Sequence, residues 1–198
     1  ALDAETGKRV WQSTVGRWQD GYTITTAPTY YNGVLYTGVS GGDRSARGKL
    51  TALDAKTGKT VWETKSPPPT TVENGYAMTG APLVVNGMAI VGVAGAEFSH
   101  RGFLEAYDAK TGKHLWRTYT IPAKGEKGAG TWTGGDPAAG GSSWVTGTYD
   151  PELDLVYWGS GNPSPWNPRG RPGDNLWSNS VIALRPKTGE IVWHYHRS

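Results

Sequence analysis

One phrase, Ala-[Leu/Tyr]-x-x-x-Thr-Gly-[Lys/Glu]-x-x-Trp, occurs four times in this chain, at residues 1–11, 52–62, 106–116 and 183–193. Recurrence on this scale marks a repeat protein, in which each unit buries its apolar face on its neighbour. Within the phrase a short apolar strand ends at a tight turn whose Gly supplies a positive φ, and a second strand then carries Trp. Each phrase therefore reads as a β-hairpin. Its Trp falls at 11, 62, 116 and 193, spacings that suit one four-stranded blade per repeat with an enlarged last one. A Trp held in this way is predicted to stack between neighbouring blades.

The other half of each repeat supplies the second hairpin. Residues 27–39 and 81–93 both read strand, Asn-Gly, strand, and residues 148–159 replace Asn-Gly with Pro151-Glu-Leu-Asp154. Asn-Gly between β-rich runs is the strongest short hairpin signal. The fold class is thus all-β, a β-propeller arc of about three four-stranded blades plus part of another, at residues 1–15 (partial), 16–66, 67–121 and 122–198. The 29 Gly and 13 Pro lie at turns within the repeats, so their excess reports short loops. No apolar run is long enough to span a membrane. The chain has no cysteine, which excludes disulfides and thiolate metal sites, and its net charge of +3 is too small and scattered to argue for nucleic acid. Because Ala1 already lies inside a phrase and three blades cannot close a propeller, the chain is expected to be a piece of a longer protein.

Function is sought where the repeats break their own pattern. At an offset of 54, Thr25 aligns with Thr79, Asp43 with Glu97 and Arg47 with Arg101. A carboxylate in a glycine-flanked loop just after a strand is placed for metal or ligand work, because small neighbours let a planar group approach the backbone. The alternative is a carboxylate that bonds turn amides or pairs with the nearby Arg. The second departure is the insertion at residues 159–177, stiffened by Pro163, Pro165, Pro168 and Pro172. There Asn162 offers an amide oxygen suited to a hard cation such as Ca²⁺. The third is the glycine run that leads to Trp144, an aromatic outside the phrase. Thr57-Gly-Lys-Thr60 is not a phosphate-binding loop, since Leu53 stands where that motif needs Gly.

The repeated phrase resembles the tryptophan-docking motif of the quinoprotein alcohol dehydrogenases, which bind pyrroloquinoline quinone in an eight-bladed propeller. Tyr76-Ala-Met-Thr-Gly-Ala-Pro82, Gly95-Ala-Glu-Phe-Ser-His-Arg-Gly102 and Gly159-Ser-Gly-Asn-Pro-Ser-Pro-Trp-Asn167, followed by Arg171-Pro-Gly-Asp-Asn175, are similar to that family's cofactor-binding segments. The resemblance implies that Glu97 and Asn162 ligate Ca²⁺ or a lanthanide. It implies further that Thr79, Gly95, Ala96 and Ser142 contact the quinone and that Trp144 stacks on its ring. Ala94 stands where many members carry Ser, and Arg101 is placed to support Glu97. Members of the methanol dehydrogenase type cover the other face of the quinone with a disulfide of adjacent cysteines, and this chain has Tyr22-Thr-Ile-Thr-Thr26 in the corresponding stretch. The family's catalytic Asp is expected beyond Ser198, so no catalytic residue is assigned here. For the parent protein the resemblance implies oxidation of a small alcohol to an aldehyde, with a c-type cytochrome as electron acceptor in the periplasm. The competing expectation is a non-catalytic propeller that serves as a protein-binding scaffold, as in outer-membrane assembly factors with similar docking phrases.

Overall fold

A computed structural model of the chain describes residues 1–44, 46–65, 75–96, 100–133 and 139–196. The first blade is an antiparallel sheet of β1 (Thr29–Tyr31), β2 (Val34–Val39), β3 (Lys49–Asp54) and β4 (Thr60–Lys65), paired in sequence order. The second repeats it with β5 (Leu83–Val85), β6 (Met88–Gly92), β7 (Phe103–Asp108) and β8 (His114–Tyr119). After the short β9 (Ala139–Gly140), the third blade begins with β10 (Thr148–Asp150) and β11 (Leu155–Gly159). The insertion contributes β12 (Pro163–Ser164), which pairs with β9, before β13 (Ser180–Leu184) and β14 (Ile191–His196) complete the sheet. The first phrase forms a hairpin turn with a single bridge, Leu2 to Arg9. Inner strands β3, β6 and β7 are almost wholly buried, whereas outer strands β4 and β14 are mostly open to solvent.

Two apolar cores fill the gaps between blades. Tyr36, Leu50 and Ala52 of the first blade meet Met78, Ala89, Val91 and Tyr107 of the second. Ile90, Leu104 and Ala106 of the second meet Val156, Trp158, Ile182 and Leu184 of the third. At the edge of these cores the Trp of each of the first three phrases reaches the next phrase. The indole N–H donates to a backbone carbonyl at an equivalent place each time: Trp11 to Ala55 at 3.0 Å, Trp62 to Ala109 at 2.9 Å, and Trp116 to Pro186 at 2.9 Å. Its ring lies against the turn glycine of that phrase. A Cβ on Gly112, for example, would fall 2.7 Å from the Trp62 ring. The predicted stacking of Trp between blades is thus observed, with a hydrogen bond added.

The turns are built by Asp. Asp54 Oδ1 accepts from the Thr57 N–H at 2.8 Å and the Thr57 hydroxyl at 2.7 Å, and Asp108 repeats this with Thr111 at 2.7 Å for both. The threonine hydroxyl, followed by its backbone N–H, holds each carboxyl below the ordinary carboxylate range, as it does for Asp3 with Thr6. In the fourth phrase Arg185 replaces the Asp and reaches the Leu153 carbonyl at 2.9 Å instead.

The first two blades differ in the ion pair between their third and fourth strands. In the second, Glu105 of β7 is fully buried and bonds Arg117 of β8 and the Tyr107 hydroxyl. In the first, Thr51 stands at the place of Glu105 and Glu63 at that of Arg117, with Lys49 paired to Glu63 at 2.8 Å.

Gly112→Ala is expected to cost about 1–3 kcal/mol more in urea unfolding than Gly87→Ala. Both residues have similar positive φ values, 72° and 74°, but nothing lies within 4 Å of a Cβ on Gly87. A carboxyl depressed in the folded state adds stability above the ordinary carboxylate pKa and loses it as pH falls through the lowered value. Stability of the chain is therefore expected to drop below about pH 4, and Asp54→Asn together with Asp108→Asn should flatten that dependence in acid titrations.

Candidate functional site

The second strand of each blade leaves its sheet at the same end of the arc, and there it meets the segment that leads into its own blade. The backbone contacts are Thr23 with Ser40 in the first blade, Ala77 with Ala94 in the second, and the Gly161 N–H on the Ser142 carbonyl at 2.8 Å in the third. By this register Thr25, Thr79 and Trp144 are equivalent, as are Ser40, Ala94 and Gly161. Residues 77–80, 93–96, 141–146 and 160–163 thus lie along one rim. Backbone approaches that only glycine permits join them: a Cβ on Gly80 would fall 2.6 Å from the Trp144 carbonyl oxygen, and one on Gly95 would fall 1.8 Å from that of Gly75.

The repeat comparison locates an incomplete hydrogen bond. In the first blade the Thr25 and Ser40 hydroxyls bond each other at 2.9 Å. In the second blade Ala94 replaces the serine, and the Thr79 hydroxyl, shielded from solvent, has no hydrogen-bond partner among the described residues. A buried hydroxyl without a partner is costly and in native proteins calls for an explanation. The same rim holds other polar groups that bond no described residue. The Ser142 hydroxyl is one and stands beside Gly161. Asn162 uses its Nδ2 on the Pro163 carbonyl at 3.2 Å and its backbone oxygen on the Gly141 N–H at 2.8 Å, leaving Oδ1 without a described partner. The Trp144 side chain is 53% exposed, whereas Ala96 is buried and offers its backbone. The structure therefore brings Thr79, Gly95, Ala96, Ser142, Trp144 and Asn162 to one rim. Glu97 lies outside the described residues, and among those described no group of three His, Cys, Asp or Glu is placed to hold a metal.

The surroundings are tied down from both sides. The Tyr76 hydroxyl donates to the Arg101 carbonyl at 3.1 Å, and burial pushes its pKa up to about 12. Arg101 itself packs over the Tyr119 ring, donates to the Ile121 carbonyl at 2.7 Å and pairs with Glu126 at 2.7 Å. Its described charge partner is therefore Glu126, supplied by a loop 25 residues away in sequence. In the insertion, Arg171 gathers the Pro165 and Trp166 carbonyls at 2.7 and 2.8 Å and the Asn175 side chain at 2.6 Å. Burial lowers its pKa. Asn175 and Leu176 in turn bond Thr131, with both backbone N–H groups donating at 3.1 and 2.9 Å.

One residue that motif reading passes over is Ser143, buried between Ser142 and Trp144. Its carbonyl accepts the Trp158 indole N–H at 2.9 Å, and its N–H donates to the Val93 carbonyl at 3.0 Å. The available signal was a polar residue where the other repeats carry Ile24 and Met78.

Known proteins match the chain over nearly its whole length. A family model described as "PQQ: glucose/ethanol/alcohol dehydrogenase, beta-propeller domain" matches residues 1–197. The quinohemoprotein alcohol dehydrogenase ADH IIB of Pseudomonas putida is 41% identical over 215 residues, covering 98% of this chain and 30% of the relative. The solved structure of quinohemoprotein alcohol dehydrogenase ADHIIG from the same species superposes with a TM-score of 0.83 at 38% identity, over 98% of this chain and 30% of the other. A europium-containing methanol dehydrogenase superposes with a TM-score of 0.78 at 34% identity, over 94% of this chain and 35% of the other. The chain spans about a third of the length of the relatives it matches.

Ala94→Ser rebuilds in the second blade the hydroxyl pair of the first. It is expected to raise the stability of the ligand-free chain by about 0.5–1.5 kcal/mol in urea unfolding.

Proposed function

The chain belongs to the β-propeller family of the PQQ-type glucose, ethanol and alcohol dehydrogenases, and from that premise we propose that its rim holds pyrroloquinoline quinone for the oxidation of a small alcohol to an aldehyde. The observation that carries this reading is the set of polar groups without described protein partners, Thr79 Oγ, Ser142 Oγ and Asn162 Oδ1, gathered beside the exposed Trp144. The donor set fits a flat, acidic, oxygen-rich cofactor. Thr79 and Ser142 donate to its polar edge, the backbone at Gly95 and Ala96 lets it approach, and Trp144 supplies an aromatic face. Asn162 and Glu97 are oxygen donors of the kind that hard cations take, and on this reading they hold Ca²⁺ or a lanthanide. The lanthanide option is supported by the europium-containing relative.

When bound, the quinone supplies the two-electron acceptor for the alcohol, and the protein contributes binding, orientation and electrostatics. Here the glycine approaches and the Arg171-anchored insertion set that orientation before the ligand arrives, which lowers the entropy lost on binding. We assign the electron acceptor as a c-type cytochrome and the compartment as the periplasm. The word quinohemoprotein in the names of two relatives supports the first of these. Among the described residues no helix is long and apolar enough to cross a membrane. A scaffold that only bound proteins would have no use for a shielded Thr79 hydroxyl without a partner among the described residues, so the scaffold reading is the weaker one.

Titration of the chain with pyrroloquinoline quinone and CaCl₂ is expected to show calcium-dependent binding. Glu97→Gln should remove the calcium dependence, and Trp144→Ala should weaken binding by about 1 kcal/mol, roughly fivefold. Binding unchanged in both variants would overturn the assignment.

A further inference from the structure

In the first sheet β2 runs to Val39, which stands opposite Lys49, the first residue of β3. The same register in the second sheet would set Val93 opposite Phe103, yet β6 ends one residue earlier, with Gly92 opposite Leu104. Between Val93 and Phe103 stands the hydroxyl of Ser143. It accepts from the Val93 N–H at 3.1 Å and donates to the Phe103 carbonyl at 2.5 Å, so it takes the place of the last rung of the ladder. Gly92 makes room for it, since a Cβ there would fall 1.9 Å from the Ser143 carbonyl oxygen. The Ser143 side chain is 1% exposed. A hydroxyl so deeply buried needs partners, and this one has both a donor and an acceptor.

Two of the residues that Ser143 bonds, Val93 and Trp158, lie on segments that lead to the rim. Val93 continues into residues 94–96. Trp158, whose indole bonds the Ser143 carbonyl, precedes the strand exit to Asn162. Ser143 itself separates Ser142 from Trp144. We propose that Ser143 is a positioning residue for the quinone site: its hydroxyl wedge sets the spacing between residues 94–96 and the Ser142 and Trp144 platform without touching the ligand. This rests on the quinone reading above. Without the hydroxyl, the Val93 N–H and the Phe103 carbonyl either pair directly, which draws residues 94–96 toward β7, or stay unsatisfied. Both outcomes misplace the rim, and misplacement of about 1 Å suffices to cost a site much of its function.

The test is equilibrium titration of the 198-residue chain with pyrroloquinoline quinone, with and without CaCl₂. The unaltered chain is compared with Ser143→Ala and Ser143→Thr, and near-ultraviolet circular dichroism monitors the fold. Ser143→Ala is expected to weaken binding about tenfold or more in calcium and to lose most of the calcium enhancement, as a displaced site requires. Ser143→Thr, which restores the hydroxyl, should recover most of it. If Ser143→Ala fails to fold, Ser143→Cys carries the same comparison, because it keeps the volume and hydrogen-bonds weakly. Unchanged affinity, a loss equal with and without calcium, or no recovery with threonine overturns the positioning role alone. Absence of quinone binding by the unaltered chain overturns the quinone reading, and the positioning role with it.

Discussion

The arc depends on an indole lying against a glycine. Trp11, Trp62 and Trp116 each carry their ring onto the turn of the following phrase and close the contact with a hydrogen bond to its backbone. The arrangement explains why the phrase needs its parts together. Asp and Thr shape the turn, Gly leaves its surface flat, and the Trp of the previous repeat lands on it. Neighbouring blades are thereby joined at the periphery as well as through the apolar cores between their sheets. At the other end of the strands the exposed side chains of the rim, such as Trp144, take no part in that contact.

That division of labour separates what the sequence shows from what it conceals. The docking contact is local and repeated, so four copies of one phrase were enough to read it. Trp144 was legible as a departure from a pattern, Thr79 only through its alignment with Thr25 and the family resemblance, and Asn162 as a polar group at a strand exit. Ser143 was not. Its role exists only because β6, β7 and β11 converge on it, and no spacing along the chain announces that meeting. Nor did the sequence announce the partner of Arg101 among the described residues, since Glu126 reaches it from a distant loop.

The repeat also exposes the site by contrast. Blade one closes its hydroxyl pair, Thr25 with Ser40, and blade two opens it by a single change to Ala94. A repeat protein supplies its own reference state in this way. Where one copy satisfies a polar group and the next leaves it unsatisfied, the free energy given up has to be recovered by something outside the copy.

The differing buried contacts of the first two blades have a consequence for how such a chain assembles. Near-identical hairpins in one polypeptide invite strand exchange, in which an outer strand pairs with the inner strand of the wrong blade. If β4 paired with β7, Glu63 would stand opposite Glu105, a second carboxylate facing one that is fully buried. If β8 paired with β3, Arg117 would meet Thr51 beside Lys49. Both mispairings bury charge without a counter-charge, whereas the native pairings neutralise it. The ion pairs thus act as address labels that tell each outer strand which blade it completes.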